Sequence, residues 1–197
     1  MESSLDAARP LLVVVSGAPG SGKTTLARRL GSELRLPVLM KDGFKETLYD
    51  ALGAPDQAAS RRMGLAALLL LRQTAERLLA AGVSLLIEAN YQRGLAEPDL
   101  RPLLRQAGGL LILCGGDAEI ILQRYQERAA RGERHPGHFD REALPRVRQL
   151  LAAGGYEPLD LPLPLLRVDT TTPAEYVPDF ATIVRFVQEH LARRTTA

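Results

Sequence analysis

Several things are scarce in this 197-residue chain, and each scarcity removes a class of protein. There is one cysteine, Cys114, so no internal disulfide can brace the fold. Its apolar neighbours fit a buried thiol in a reducing compartment. Net charge is also scarce: 25 basic against 23 acidic residues leave +2, too little to make nucleic acid or an anionic membrane an obligatory partner. No apolar run is long enough to cross a bilayer. Residues 11–15 are too few, and residues 66–71 are bracketed by Arg61, Arg62 and Arg72. Residues 1–10 lack the long apolar segment of a secretory signal. There is no cysteine–histidine metal cluster, no internal repeat and no interleaving of basic and aromatic residues of the kind that tracks a nucleic-acid strand. A cytoplasmic protein built as a single domain over residues 1–197, monomeric or homodimeric, is the expectation.

What is present centres on Gly17-Ala18-Pro19-Gly20-Ser21-Gly22-Lys23-Thr24, a complete G-x-x-x-x-G-K-T between an apolar run at 11–15 and a helical stretch from 24 to 34. Glycines let successive backbone N–H groups turn inward around phosphate oxygens, and the following helix adds the positive end of its dipole. In this setting Lys23 reaches the β- and γ-phosphates, the Thr24 hydroxyl holds Mg²⁺, and Thr25 closes the phosphate site. The residues therefore predict binding of a nucleoside triphosphate, ATP, with Mg²⁺.

Five apolar segments alternate with helical ones. Strands are expected at about 11–16, 36–40, 83–87, 110–114 and 165–169, and helices at about 24–34, 44–49, 56–81, 97–107, 117–130, 141–153 and 178–191. The alternation predicts an α/β fold, a five-stranded parallel sheet with helices on both faces. Right-handed crossovers would gather residues 17–24, 42–45, 88–93 and 169–170 at one sheet edge.

Asp42 follows the second strand, where a carboxylate can take the proton of an attacking hydroxyl, orient a substrate or assist Mg²⁺ through water. It can equally cap the short helix expected at 44–49. Lys45, one turn on, can neutralise phosphate or bind an anionic substrate, or stand solvated. Glu88 ends the third strand, a position suited to Mg²⁺ or substrate and also to a polar strand terminus. Asn90 and Arg93 are neighbouring acceptor-binding candidates. Asp169 and Thr170, after the fifth strand, can hold the nucleotide base or cap a turn. The helical insertion at about 53–82 is expected to wall the acceptor pocket, with Arg61, Arg62 and Arg72 in the pocket or on its solvated outer face.

From Arg124 to His138 the sequence is rich in arginine. Arg124, Arg128 and Arg131 share a helix face, which predicts three guanidiniums converging near Gly132. Planar guanidiniums suit phosphate, and Gly132 with Pro136-Gly137 suits a segment that moves, so residues 124–140 read as a lid over the triphosphate. An exposed arginine-rich helix is the plainer alternative. His135 and His138 can touch substrate or shape a polar turn.

From about residue 11 to 190 the whole pattern resembles the small bacterial P-loop kinases often labelled AAA-family ATPases. Their relatives include 5′-polynucleotide kinases, chloramphenicol phosphotransferase, gluconate kinase and zeta-toxin sugar kinases. In two of these branches an Asp after the second strand is the general base, and a basic residue three positions on binds phosphate or substrate. Asp42 and Lys45 match that spacing, with Lys in place of the usual Arg. The resemblance implies lid roles for Arg124 at the nucleotide, Arg128 and Arg131 at the transferring phosphoryl group, and Arg134 at the substrate. The expected activity is transfer of the γ-phosphate to a hydroxyl of a small molecule: nucleoside, sugar or antibiotic-like. A polynucleotide 5′-kinase and a nucleotide-dependent regulatory switch are the alternatives.

Overall fold

Strand β1, Leu11–Gly17, is buried along its whole length, as its unbroken apolar sequence demands of a strand covered on both faces. The computed structural model, which describes residues 9–132, 134–172 and 175–192, places it at the centre of a five-stranded sheet. The order is β2 (Val38–Met40), β3 (Leu85–Glu88), β1, β4 (Gly108–Gly115), β5 (Leu165–Asp169), and every neighbouring pair is parallel.

Alternate residues of the strands feed two cores. Leu12, Val14, Leu85, Ile87 and Leu111 face helices α3 (Gln57–Ala80) and α4 (Glu97–Gln106). Leu11, Val13, Val15, Leu86 and Ile112 face α1 (Lys23–Leu34) and α7 (Phe180–Ala192). Helices α2 (Lys41–Leu52), α5 (Ala118–Arg131) and α6 (Asp140–Ala152) complete the described elements, with a 3₁₀ turn at Pro136–His138. None of the described helices is long and apolar enough to cross a membrane.

Three local departures from the expected boundaries matter. Helix α2 begins at Lys41 directly after β2, three residues earlier than the sequence suggests, so Asp42 sits inside its first turn. The N-cap is Met40, with no side-chain cap, and the capping reading of Asp42 is therefore set aside. Residues 56–81 form one helix, begun by Asp56, whose carboxylate accepts from the Ala59 N–H at 2.7 Å. Gly108 and Gly109 belong to β4 instead of ending the helix before it. A Cβ on Gly109 would collide with Leu104, so the glycine lets that leucine lie flat on the strand.

Candidate active site

The carboxyl ends of β1, β2 and β3 lie side by side, with Val15 and Met40 both paired to Glu88. The phosphate loop leaves β1 and turns into α1 through Gly20 and Gly22, both at positive φ. At Gly20 any Cβ would stand 2.6 Å from the Ile121 carbonyl oxygen, so the loop also needs a glycine there to pass α5. The Ser21 N–H donates to the Ala18 carbonyl at 3.1 Å, which closes the loop. The Ser21 hydroxyl is buried and has no partner among the described residues.

Lys23 opens α1. Its ammonium lies 3.4 Å from the Ala18 carbonyl and 3.8 Å from Glu88. Burial lowers the lysine pKa and raises that of Glu88, and each is opposed by the other's charge. Thr24 lines the same cavity as Glu88, whose Oε2 is buried and unpartnered among the described residues. A hydroxyl and a carboxylate with spare acceptor capacity suit a hard cation that keeps several waters. No group of three or more His, Cys, Asp or Glu among the described residues could hold a metal without such help. The donor set therefore fits Mg²⁺ carried in with phosphate.

Asp42 is the hub of a second group. Lys41 lies 3.2 Å from its Oδ1, and Arg134 pairs with its Oδ2. Arg134 also reaches Asp140 at 2.9 Å. Burial alone would raise the Asp42 pKa, but Lys41 and Arg134 outweigh it and hold the carboxylate far below its usual range. His138 continues the chain. Its Nδ1 accepts from Arg134 at 3.1 Å, and its Nε2 donates to Glu46 at 2.8 Å. His135 uses the same tautomer, with Nδ1 accepting from the Gly137 N–H and Nε2 donating to Asp50 at 2.9 Å. The Ser60 hydroxyl donates to the Gly137 carbonyl at 2.6 Å. Segment 134–140 is thus fastened to α2 and α3, and both histidines serve as struts in it.

Both groups open into one cavity of about 910 Å³. Among the sequence candidates, Pro19, Lys23, Thr24, Asp42, Lys45, Glu88, Asn90, Arg128 and Arg134 line it, as do Arg61 and Arg72. Lys45 is 7% exposed, with no carboxylate within ion-pair distance of its ammonium among the described residues. Burial, followed by the neighbouring Lys41 charge, lowers its pKa to about 8.

Other candidates lie elsewhere. Arg93 is exposed and off the cavity wall; its backbone N–H bonds the Gly155 carbonyl. The three guanidiniums of α5 do not converge. Arg124 donates to the carbonyls of Thr170, at 2.6 Å, and Thr171. Arg128 lies 3.9 Å from Asp140, and Arg131 pairs with Glu127 one turn back and stays off the cavity wall. Each finds its partner on a different element, so the cationic pair over the site is Arg128 with Arg134, gathered around Asp140. Asp169 bends its own loop by accepting from the Thr171 N–H at 2.7 Å. The Thr170 hydroxyl lies 2.9 Å from the carbonyls of both Ser21 and Gly115 and ties this loop to the phosphate loop.

Sequence reading missed Lys41, Asp140, Tyr91 and Tyr156. Lys41 adjoins the motif and was within reach; Asp140 reads as an ordinary first-turn helix acid.

Residues 12–153 match the profile of the family described as an AAA domain. The chain belongs to that family. A candidate kinase from Chloroflexus aurantiacus J-10-fl shares 37% identity with this AAA-domain chain, covering 94% of it and 98% of the relative, with a TM-score of 0.82. A sugar kinase from Janibacter sp. HTCC2649 shares the fold at 21% identity and TM-score 0.53, over 83% of this chain and 87% of that one. A shikimate kinase from Bacteroides thetaiotaomicron does so at 18% and 0.52, over 93% and 98%. No curated protein matches. The AAA-domain chain is a small kinase-like P-loop protein.

Proposed function

We propose that this protein is an ATP-dependent phosphotransferase that moves the γ-phosphate to a hydroxyl of a small molecule. One observation carries the reading: the phosphate-loop lysine, the Asp42 carboxylate and the Glu88 carboxylate line a single cavity that continues well past them between α3 and α4. A regulatory switch needs the loop but has no use for a second, deep compartment beside it.

In this reading the triphosphate lies on residues 17–25, with Arg124, Asp169 and Thr170 framing the nucleotide's far end. Thr24 and Glu88 would hold Mg²⁺, whose charge would offset that of the phosphates. Asp42 orients the acceptor hydroxyl. As the acceptor oxygen bonds to the γ-phosphorus, the bond from phosphorus to the β,γ-bridging oxygen breaks, Asp42 takes the hydroxyl proton, and ADP leaves. Lys23, Arg128 and Lys45 face the charge that spreads over the transferring group. Arg134 now occupies Asp42, and its transfer to the phosphoryl oxygens would free that carboxylate and restore its basicity. Asn90 lies further along, on the acceptor's side.

The test is coupled ADP release from ATP·Mg²⁺ across a panel of alcohols, including sugars, nucleosides and 5′-hydroxyl oligonucleotides, with product mass detected and Lys23→Ala as control. An acceptor that stimulates release and gains a phosphoryl group establishes the reading. Nucleotide binding with acceptor-independent hydrolysis alone would overturn it.

A further inference from the structure

Helix α3 has two unlike faces. Leu71, Ala75 and Leu79 are buried in the core. On the opposite face the exposed positions run Arg62, Leu65, Leu69, Gln73 and Glu76. The centre of this stripe is apolar: Leu65 and Leu69 are 64% and 55% exposed, with Leu70 beside them at 39%. An apolar patch rimmed by charge on a solvated helix marks a contact surface.

The stripe is symmetric about Leu69. Leu65 lies four residues before it and Gln73 four after; Arg62 lies seven before and Glu76 seven after. Ala58 and Ala80, both small and exposed, end the stripe at equal distances from the centre. A helix with this pattern meets an antiparallel copy of itself in register.

Shape and charge both fit that pairing. Leu69, Arg72, Gln73 and Glu76, at i, i+3, i+4 and i+7, line a cavity of about 210 Å³ together with Leu70. Four residues so arranged form the hole that receives one side chain of a facing helix. With a two-fold axis at Leu69, the partner's Leu65 arrives at the level of Gln73, about 6 Å from the axis, where the cavity lies. The partner's Arg62 arrives at the level of Glu76. Both residues are exposed, and no ion pair holds either among the described residues. Arg72 is already anchored to Asp99 at 3.5 Å, so its charge is answered within the chain. Arg61 and Arg77 sit about 80° to either side of Leu69 around the helix and end on opposite flanks of the pair. A parallel pairing would instead set arginine on arginine and glutamate on glutamate.

We propose that this chain forms a homodimer through antiparallel α3 helices, with the two-fold axis at Leu69. Leu65 seats in the partner's cavity, and Arg62 pairs with the partner's Glu76 at both ends. Arg61, Leu65 and Arg72 also line the large cavity, so the partner helix backs that wall. The pairing assumes nothing about the reaction. One helix pair is a small interface, so a micromolar dissociation constant is expected.

The test is sedimentation velocity of the full-length protein over about 1–200 µM. Wild type should pass from monomer to dimer across that range. Leu69→Glu sets two like charges at the axis and should leave only monomer. Arg62→Glu should weaken association about 10-fold, as should Glu76→Arg, and the two combined should restore it. All three positions are exposed and off the large cavity, and circular dichroism checks that helix content is kept. Leu69→Cys should cross-link to its own copy under mild oxidation, against a background kept low by the burial of Cys114, the one native cysteine. A protein monomeric at the highest concentration would overturn the proposal. So would a dimer that survives Leu69→Glu, since it must use another face. A double charge swap that fails to restore association would rule out the antiparallel register.

Discussion

Arg134 pairs with Asp42 across 92 residues of sequence and holds Asp140 with its other nitrogen. Two carboxylates share one guanidinium, and the carboxylate best placed for catalysis is one of them. The pairing keeps Asp42 ionised and makes it a poor proton acceptor until Arg134 leaves.

Arg134→Gln should therefore shift the acid limb of the stability curve. A carboxyl whose pKa is depressed on folding contributes stability above its unfolded value, which is lost as pH falls through the folded one. Wild type should be the more stable by about 1–3 kcal/mol near pH 6, and the gap should begin to narrow only as pH falls below about 4, closing near the much lower folded value. Thermal unfolding at stepped pH measures this; parallel curves would mean that the ion pair contributes nothing.

Asp42→Asn should lower kcat by about 10²- to 10⁴-fold, the usual weight of a positioned base. The change removes a proton acceptor and leaves the nucleotide's contacts in place, so ATP affinity should hold. Steady-state kinetics beside direct nucleotide titration distinguishes the two effects, and near-normal turnover would remove Asp42 from the chemistry.

His138 should make the fold sensitive to mild acid. Burial, then the facing Arg134 charge, lowers its pKa, with Asp42 and Glu46 opposing and Lys45 adding to the depression. Between the folded value and about 6.5 the unfolded chain binds more protons, so this contribution is complete above pH 6.5 and declines below it. His138→Gln can still accept from Arg134 and donate to Glu46 but does not titrate. Its melting temperature should fall less than wild type's between pH 6.5 and 5, and equal slopes would count against the strut.

Two glycines should respond in opposite ways. Gly20→Ala forces a side chain onto positive φ and against the Ile121 carbonyl, so it should destabilise the protein and abolish nucleotide binding. Gly64→Ala, inside α3 with only the tip of Lys41 near, should stabilise by about 0.5–1 kcal/mol. Denaturant midpoints decide both.

The fold was legible because β1 and the phosphate motif are local signals, and because parallel strands announce themselves as apolar runs. Glu88 and Asp42 were legible for a related reason: a parallel sheet sends every strand's carboxyl end to the same edge. The lid was only half legible. Helical spacing put Arg124, Arg128 and Arg131 on one face, but spacing says nothing of the partners that pull each guanidinium aside. Glu127 lies one turn back from Arg131 on the same helix and was within reach of spacing, but Thr170 and Asp140 come from other elements, and only the folded chain places them.

With β1 at the centre of the sheet, the proposed acceptor's surroundings come mainly from residues 41–106 on one side of it, with Ala143, Val147 and Tyr156 closing the cavity, and the loop proposed to frame the nucleotide comes from β4 and β5 on the other. The two tasks are divided like the jaws of a wrench about a fixed pin. A chimera carrying another kinase's 41–106 segment on this chain's β1, β4 and β5 would exchange the compound phosphorylated while keeping the phosphate donor, so diversification within such a fold can proceed on one jaw alone.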